Sequence, residues 1–372
     1  MRSTWRDFMA DAREEAATAC LTLLASIVLL AFAAQPSFIV RAQTPAASQT
    51  QTSGQLAAVI EQLRAHPSDA SKLNAARLAG FNLIAALRFE DAWSIFSAML
   101  EVAPKDQQAL YGGALALFNL RQVGQAEQLA RSAVEAAHLS EPSTVEAARV
   151  RSDALVLLGV ILAVKGDGAG ALKAVEQAAL LAPASFDAQF ALGRARYGTG
   201  DVAGAAVAFR RAVSLRPSDA KAIFFLATAL EESADYAGAL VAYRELLSAH
   251  PENAEGYLGL GALLIKSGGE KIEEGIKALQ RAVALNGALY EARVTLGRTL
   301  IRTGRAAEAL EHLKRAAELA PSNPEPHYQL ALAYRRLGKT LEAEQESAIV
   351  KQIHLTRRGN VDEAGRAPKN QD

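Results

Sequence analysis

Between residues 73 and 357 apolar positions come in paired stretches, each with a spacing of three to four residues. That spacing is the period of a helix buried along one side. The pair repeats every 34 residues. Pro183, Pro217 and Pro251 stand 34 apart, and Pro321 lies two repeats beyond Pro251, one of them longer by two residues. Eight units follow: 73–106, 107–140, 152–185, 186–219, 220–253, 254–289, 290–323 and 324–357. Position 8 is Gly80, Ala114, Gly159, Gly193, Ala227, Gly261, Gly297 and Ala331, so only glycine and alanine occur there. Position 20 obeys the same restriction, with Ala92, Ala126, Ala171, Ala205, Ala239, Gly275, Ala309 and Ala343. Position 24 is mostly bulky, as in Phe96, Val175, Phe209, Tyr243, Leu279 and Leu313.

The restriction has a physical reason. Two antiparallel helices approach closely only where their side chains are tiny, and a bulky neighbour fills the space beside the contact. Gly-Asp pairs such as Gly166-Asp167 and Gly200-Asp201 mark the turn inside a unit. Proline at position 32 ends the second helix. A 34-residue hairpin cannot bury its apolar side alone, so neighbouring units must stack.

This pattern resembles the tetratricopeptide repeat family, and the resemblance covers residues 73–357. It departs at position 4, where Leu110, Ile223, Tyr257 or His327 replaces a repeated Trp, and at position 32 of the second and sixth units, where His138 and Gly287 replace Pro. The resemblance implies an all-α fold, a right-handed superhelical solenoid of stacked antiparallel helix pairs. It also implies a non-enzymatic scaffold that holds a partner peptide or helix in its concave groove. In that family positions 2, 5, 9, 12 and 13 of each first helix line the groove. Here those positions supply Phe190, Arg194, Tyr197, Phe224, Thr228, Leu258, Lys266, Val294, Arg298, Arg302, Tyr328, Arg335 and Arg336. Aromatic rings give rigid contact area, and arginines bind carboxylates with two hydrogen bonds. Glu231 and Glu232 keep the groove from being uniformly basic, and positive charge gathers toward the C-terminal units. The expected partner segment is therefore acidic or ends in a free carboxylate. The family's chaperone-docking clamp of Lys and Asn at positions 5 and 9 is not matched, since Arg77 with Phe81 and Tyr111 with Leu115 stand there.

Outside the repeats five further segments are expected. Residues 16–40 contain no charged residue, and the core Leu21–Ala34 is strongly apolar. Residues 1–42 thus read as a signal peptide, cut after Ala42, or as an uncut anchor, since about 20 apolar residues span a bilayer. Both readings stay open. Both put the bulk of the chain outside the cytoplasm, in the periplasm, secreted, or on the outer side of the inner membrane of a bacterial envelope. The membrane is expected to be touched only through residues 16–40, and only if they are retained. Cys20 opens the apolar run instead of ending it, which argues against a lipoprotein site. Residues 43–54 read as a linker without regular structure and residues 358–372 as a tail of the same kind, leaving 55–357 for the solenoid. A degenerate leading helix is expected within 54–72, ending at His66-Pro67-Ser68-Asp69. The eleven residues from Glu141 to Arg151 break the phase. Their Ser143-x-x-Glu146 is a capping box, so they should lengthen the first helix of the third unit.

Charge and chemistry narrow the function further. Lys plus Arg and Asp plus Glu number 40 each, which argues against nucleic acid as a partner. A single cysteine excludes an internal disulfide. None of the six histidines has a metal pair's spacing of four residues, and no Gly-x-Ser-x-Gly elbow is present. Gly338-Lys339-Thr340 lacks the upstream glycine and strand of a phosphate loop. No cofactor, no metal and no catalytic residue are expected. Two alternatives to the peptide-binding scaffold remain. One is a self-associating structural subunit using Ile349, Val350 and Ile353, hence a homo-oligomer. The other is an accessory factor of envelope polysaccharide or secretion machinery, for which Trp93 is the one tryptophan beyond the apolar segment.

Overall fold

The computed structural model describes residues 49–139 and 145–364. Among them are seventeen helices and no strand. The chain divides into two compact units at the Arg216–Pro217 bond. The first unit opens with α1 (Gln49–Ala65) and continues with four hairpins. These are α2 (Ala70–Ala85) with α3 (Phe89–Val102), α4 (Gln107–Asn119) with α5 (Val123–Leu139), α6 (Val145–Val164) with α7 (Gly168–Leu181), and α8 (Phe186–Gly198) with α9 (Val202–Leu215). The second unit holds four more: α10 (Ala220–Glu232) with α11 (Tyr236–Ala249), α12 (Ala254–Ser267) with α13 (Lys271–Leu285), α14 (Tyr290–Arg302) with α15 (Ala306–Leu319), and α16 (Pro324–Arg336) with α17 (Thr340–Ala364). Each hairpin is one sequence repeat, and its two helices pack on each other.

The turn inside each hairpin has one chemistry. Its position 15 is left-handed in all eight, at Leu87, Arg121, Gly166, Gly200, Ala234, Gly268, Gly304 and Gly338, with φ between 61° and 87°. The next residue closes a six-to-one bond to the first helix in seven of them, such as Asp167 N–H to Leu162 C=O at 2.9 Å. This is the helix-ending arrangement that glycine favours. Leu87, Arg121 and Ala234 hold it at a cost of about 1–2 kcal/mol each. Asp167, Asp201 and Asp235 then cap the second helix, each accepting from the N–H of the residue three further on, at 2.8–2.9 Å. That residue is glycine because a Cβ there would lie within 2.0–2.5 Å of the capping carboxylate.

Between repeats, the residue before proline leaves the helical region, as at Ala103, Ala182, Arg216, His250 and Ala320, with φ between −138° and −132° and ψ between 72° and 83°. Proline's ring disfavours helix in the residue before it. Asn286, which precedes Gly287, adopts φ −133° without that help. Asp106, Asp219 and Asn253 cap the following helices through the third residue's N–H, at 2.6–2.8 Å. A cap of this kind contributes about 1 kcal/mol.

Positions 8 and 24 meet as their residue types require. A Cβ on Gly80, Gly159, Gly193, Gly261 or Gly297 would lie 2.5–2.8 Å from Phe96, Val175, Phe209, Leu279 or Leu313 respectively. Where position 8 is alanine, position 24 shrinks to Ala130 or Ser347 in the second and eighth repeats. The fifth repeat pairs Ala227 with Tyr243, whose ring lies instead against Gly259 of the next helix, 2.4 Å from a Cβ there. Phe96 spans both contacts, pressing on Gly80 and on Gly112. Each unit is filled this way. The first centres on Leu63, Phe96, Met99, Leu115 and Ile161, and the second on Ile276, Leu279, Leu296, Leu300 and Leu313.

Three expectations change. Helix α1 starts at Gln49, so helix replaces the second half of the segment read as linker. Polar, small residues carry no apolar period there, yet Leu56, Val59 and Ile60 downstream anchor the helix on the core. Helix α17 runs to Ala364, seven residues past the end of the last repeat and into the expected tail. The first repeat's helix begins at Ala70, three residues early, because Asp69 caps it through Ser71 and Lys72. The phase break does lengthen a helix: α6 has 20 residues where α4, α8 and α10 have 13. Its capping serine, residues 1–42 with Cys20, and the end of the tail lie outside the described residues.

Candidate functional site

In the second unit the first helices of the four hairpins are α10, α12, α14 and α16. On such a helix positions 2, 5, 9, 12 and 13 fall within an arc of about 100°. In α12, α14 and α16 that arc is the side with exposed charge: Glu255, Lys266, Glu291, Arg298, Arg302, Arg335 and Arg336 are all exposed. Its apolar members grade from buried Val294 through half-buried Leu258 to Tyr328, a residue 57% exposed.

The cations differ in what holds them. Arg298 and Arg302 stand one helical turn apart on α14. Neither has an ion pair or hydrogen bond among the described residues. Arg336 donates from Nη1 to the carbonyl of Ile301, which sets its guanidinium at the end of α14 beside Arg302. Arg335 turns aside and donates from Nη2 to Ser347 Oγ at 3.1 Å. Lys266 is engaged from two sides. Its Nζ lies 3.6 Å from Glu231 Oε1 and 4.6 Å above the Tyr236 ring.

The remaining expected residues sit deeper. Phe224 is half-buried, edge-on to Tyr243 at 6.3 Å. Thr228 donates to the Phe224 carbonyl at 3.0 Å. Burial beside Glu231 pushes the Tyr243 hydroxyl up to about 12, against the opposing effect of its hydrogen bond with Thr228. Phe190, Arg194 and Tyr197 belong to the first unit. Phe190 is a correction: it is buried, stacked on Phe186 at 5.6 Å and packed on Phe209 at 5.7 Å. Its ring completes the core around Gly193 and is closed to a partner. Arg194 and Tyr197 are half-buried.

The opposite edge of the same face went unread in the sequence. Position 2 is Glu255, Glu291 and Glu325 in α12, α14 and α16. Glu325 is half-buried and accepts from Gln329 Nε2 at 2.9 Å. Burial, then the charges of Glu325 and Glu291, push the Tyr290 hydroxyl up to about 12. Two of these carboxylates thus act on one point at that edge. Also unread was the pair His327 Nδ1 to Glu346 Oε2 at 2.7 Å, which ties α16 to α17. Among the described residues no group of three His, Cys, Asp or Glu side chains is placed to hold a metal ion. No helix among them is long and apolar enough to cross a membrane.

Known proteins match this chain by repeat and by fold. A family described as tetratricopeptide repeat matches residues 156–220 and 224–285, and one described as TPR repeat matches residues 297–338. No curated protein matches the sequence. Among solved structures, the hetero-tetramer of Cut9 and Hcn1 from the complex called APC/C shares the fold with a TM-score of 0.50 at 15% identity, over 75% of this chain and 52% of that one. MamA from Desulfovibrio magneticus RS-1 aligns with a TM-score of 0.42 at 24% identity, over 46% of this chain and 96% of its own. YrrB, titled a TPR protein with an unusual peptide-binding site, aligns with a TM-score of 0.42 at 22% identity, over 49% and 93%.

Proposed function

We propose, from the premise that the chain is a tetratricopeptide repeat protein, that it is a non-enzymatic scaffold whose second unit holds a segment of a partner protein against α12, α14 and α16. One observation carries this reading: Arg298 and Arg302 are exposed, one helical turn apart and without a protein partner among the described residues, and Arg336 donates to the carbonyl of Ile301, the residue before Arg302. Arginine is the side chain best suited to grip a carboxylate at two points. The segment it fits is acidic or carries a terminal carboxylate, and the open ring of Tyr328 offers it a flat contact.

The site of action we propose is the bacterial envelope, outside the cytoplasm. The support is the uncharged run 16–40 with Arg2, Arg6 and Arg13 before it. A self-associating subunit is the second reading. It is favoured by the last helix, where Leu341, Leu355 and Ile349 are 73%, 62% and 39% exposed, while Val350 and Ile353 are half-buried. The polysaccharide or secretion accessory role draws no support from Trp93. Its ring packs on Gly113, 3.1 Å from where a Cβ would stand.

The test is capture of partners from an envelope fraction by residues 43–372, beside the variant Arg298→Glu/Arg302→Glu. Each charge-assisted hydrogen bond is worth about 1.5–3 kcal/mol, so losing two weakens capture by roughly 10²- to 10⁴-fold. Helicity stays unchanged, because both side chains are exposed. Equal recovery by both forms contradicts the reading, and recovery of the bait alone by both favours self-association.

A further inference from the structure

The face of α12, α14 and α16 carries charge of opposite sign along its two edges. Position 2 gives Glu255, Glu291 and Glu325, and position 13 gives Lys266, Arg302 and Arg336. Along one helix these positions are about 16 Å apart. In the acidic row Glu255 and Glu291 are exposed, and Glu325 is half-buried beside Gln329. In the basic row Arg336 donates to the carbonyl of Ile301, the residue before Arg302, and Lys266 lies 3.6 Å from Glu231 of α10. Between the rows the floor is apolar at Leu258, Val294 and Tyr328, with the exposed Arg298 standing in it one turn before Arg302.

Helix dipoles favour acid at a first turn and base at a last turn, and each is worth about 0.3–1 kcal/mol. That preference does not account for the pattern. Helix α10 is built the other way round, with Lys221 at position 2 and Glu232 at position 13, and it is as regular as its neighbours. Dipole compensation also leaves a residue free to sit on any side of the helix, whereas positions 2 and 13 lie about 20° apart. The reversal at α10 marks one end of the two rows, and the Lys266–Glu231 pair at 3.6 Å stands at that junction.

We propose that the segment held by this face is an α-helix with two oppositely charged flanks, its basic flank along Glu255, Glu291 and Glu325 and its acidic flank along Lys266, Arg302 and Arg336. This rests on the proposed partner-binding role of the same face and adds the shape, charge order and orientation of the bound segment. Width selects a helix. A helix with its side chains is about 10–12 Å across, which fits between rows about 16 Å apart once their side chains lean inward. Seven residues of α-helix rise about 10.5 Å and return to the same flank, so one flank presents a charge to each first helix in turn.

The probe is a peptide of about 18 residues, ~27 Å long as a helix, with Lys every seventh position on one flank, Glu every seventh on the other, and Leu and Ala between. Two control peptides accompany it: one with Gln for every Lys, and one of the same composition in scrambled order. Binding to the full chain is followed by titration calorimetry. The two-flanked helix should bind at least tenfold more tightly than either control. The variant Glu255→Lys/Glu291→Lys, with unchanged circular dichroism, should lose that advantage while still binding the Gln-for-Lys control. If the Gln-for-Lys control binds the wild type as tightly as the two-flanked helix, this inference fails while the partner-binding role stands. Equal binding of the scrambled peptide, or no binding of any of them, also overturns it. Capture by the Arg298→Glu/Arg302→Glu variant then decides separately whether the role itself survives.

Discussion

Replacing Phe96 by alanine lowers the stability of the first unit by about 3–5 kcal/mol. The ring is fully buried and is shared by two repeats. It lies against Gly80 of α2 and Gly112 of α4, where an added Cβ would come within 2.5 and 2.3 Å of its tip. Phe81 also meets it edge-on at 5.2 Å, an aromatic contact worth about 0.5–1.5 kcal/mol more. The two residues that the tip of the ring presses on are glycines, so neither carries a side chain that could fill the space. Repeat proteins need not unfold as one step, so the loss should be localised. Urea unfolding followed by hydrogen exchange should show α2 to α5 opening first. A loss under about 1 kcal/mol would mean that neighbouring repeats do not share this ring.

The second large effect comes from the other side of the same contact. Gly193→Val places a branched side chain where even a Cβ would stand 2.6 Å from the Phe209 ring. Overpacking of this kind costs about 1–3 kcal/mol. Phe209→Ala alone should cost about 3–5 kcal/mol by opening a cavity. Combined, the two should cost less than their sum by about 1 kcal/mol or more, because the valine occupies the vacated space. Denaturation midpoints of the two single variants and the double variant measure this coupling. Strict additivity would show that positions 8 and 24 do not set the distance between the helices of a hairpin.

These two contacts explain why the fold was legible. Position 8 admits only Gly or Ala, and its partner at 24 grows or shrinks with it, as Gly297 with Leu313 and Ala114 with Ala130 show. A repeat that obeys steric rules eight times over leaves little freedom in where the helices lie. The left-handed turn residue was half-legible. Glycine marks it at Gly200 and Gly304, whereas Leu87, Arg121 and Ala234 adopt the same backbone under the pull of the surrounding hairpin. The start of α1 was not legible, since Gln49 to Gly54 offer no apolar spacing.

The candidate site was legible in direction and not in depth. Repeat position gives the side of a helix on which a residue stands. It does not say what the neighbouring helix lays over it. Phe190 holds position 5 like Tyr328, yet Phe186 and Phe209 enclose the first while the second is 57% exposed. Pairing between repeats was likewise hidden: Lys266 and Glu231 are 35 residues apart in sequence and 3.6 Å apart in space. The acidic row at position 2 could have been found by reading that position with the same attention as positions 9 and 13.

The central claim is that a partner protein lies on the open face of the first helices in the second unit. It is tested most directly by placing a photo-crosslinking amino acid at Tyr328, which is on that face, and separately at Val241, which is 56% exposed on the second helix α11. Irradiation in the native envelope fraction, followed by mass spectrometry of the adducts, should give a partner adduct at 328 and none at 241. An adduct at 241 with none at 328 would contradict the account and move the binding surface to the second helices.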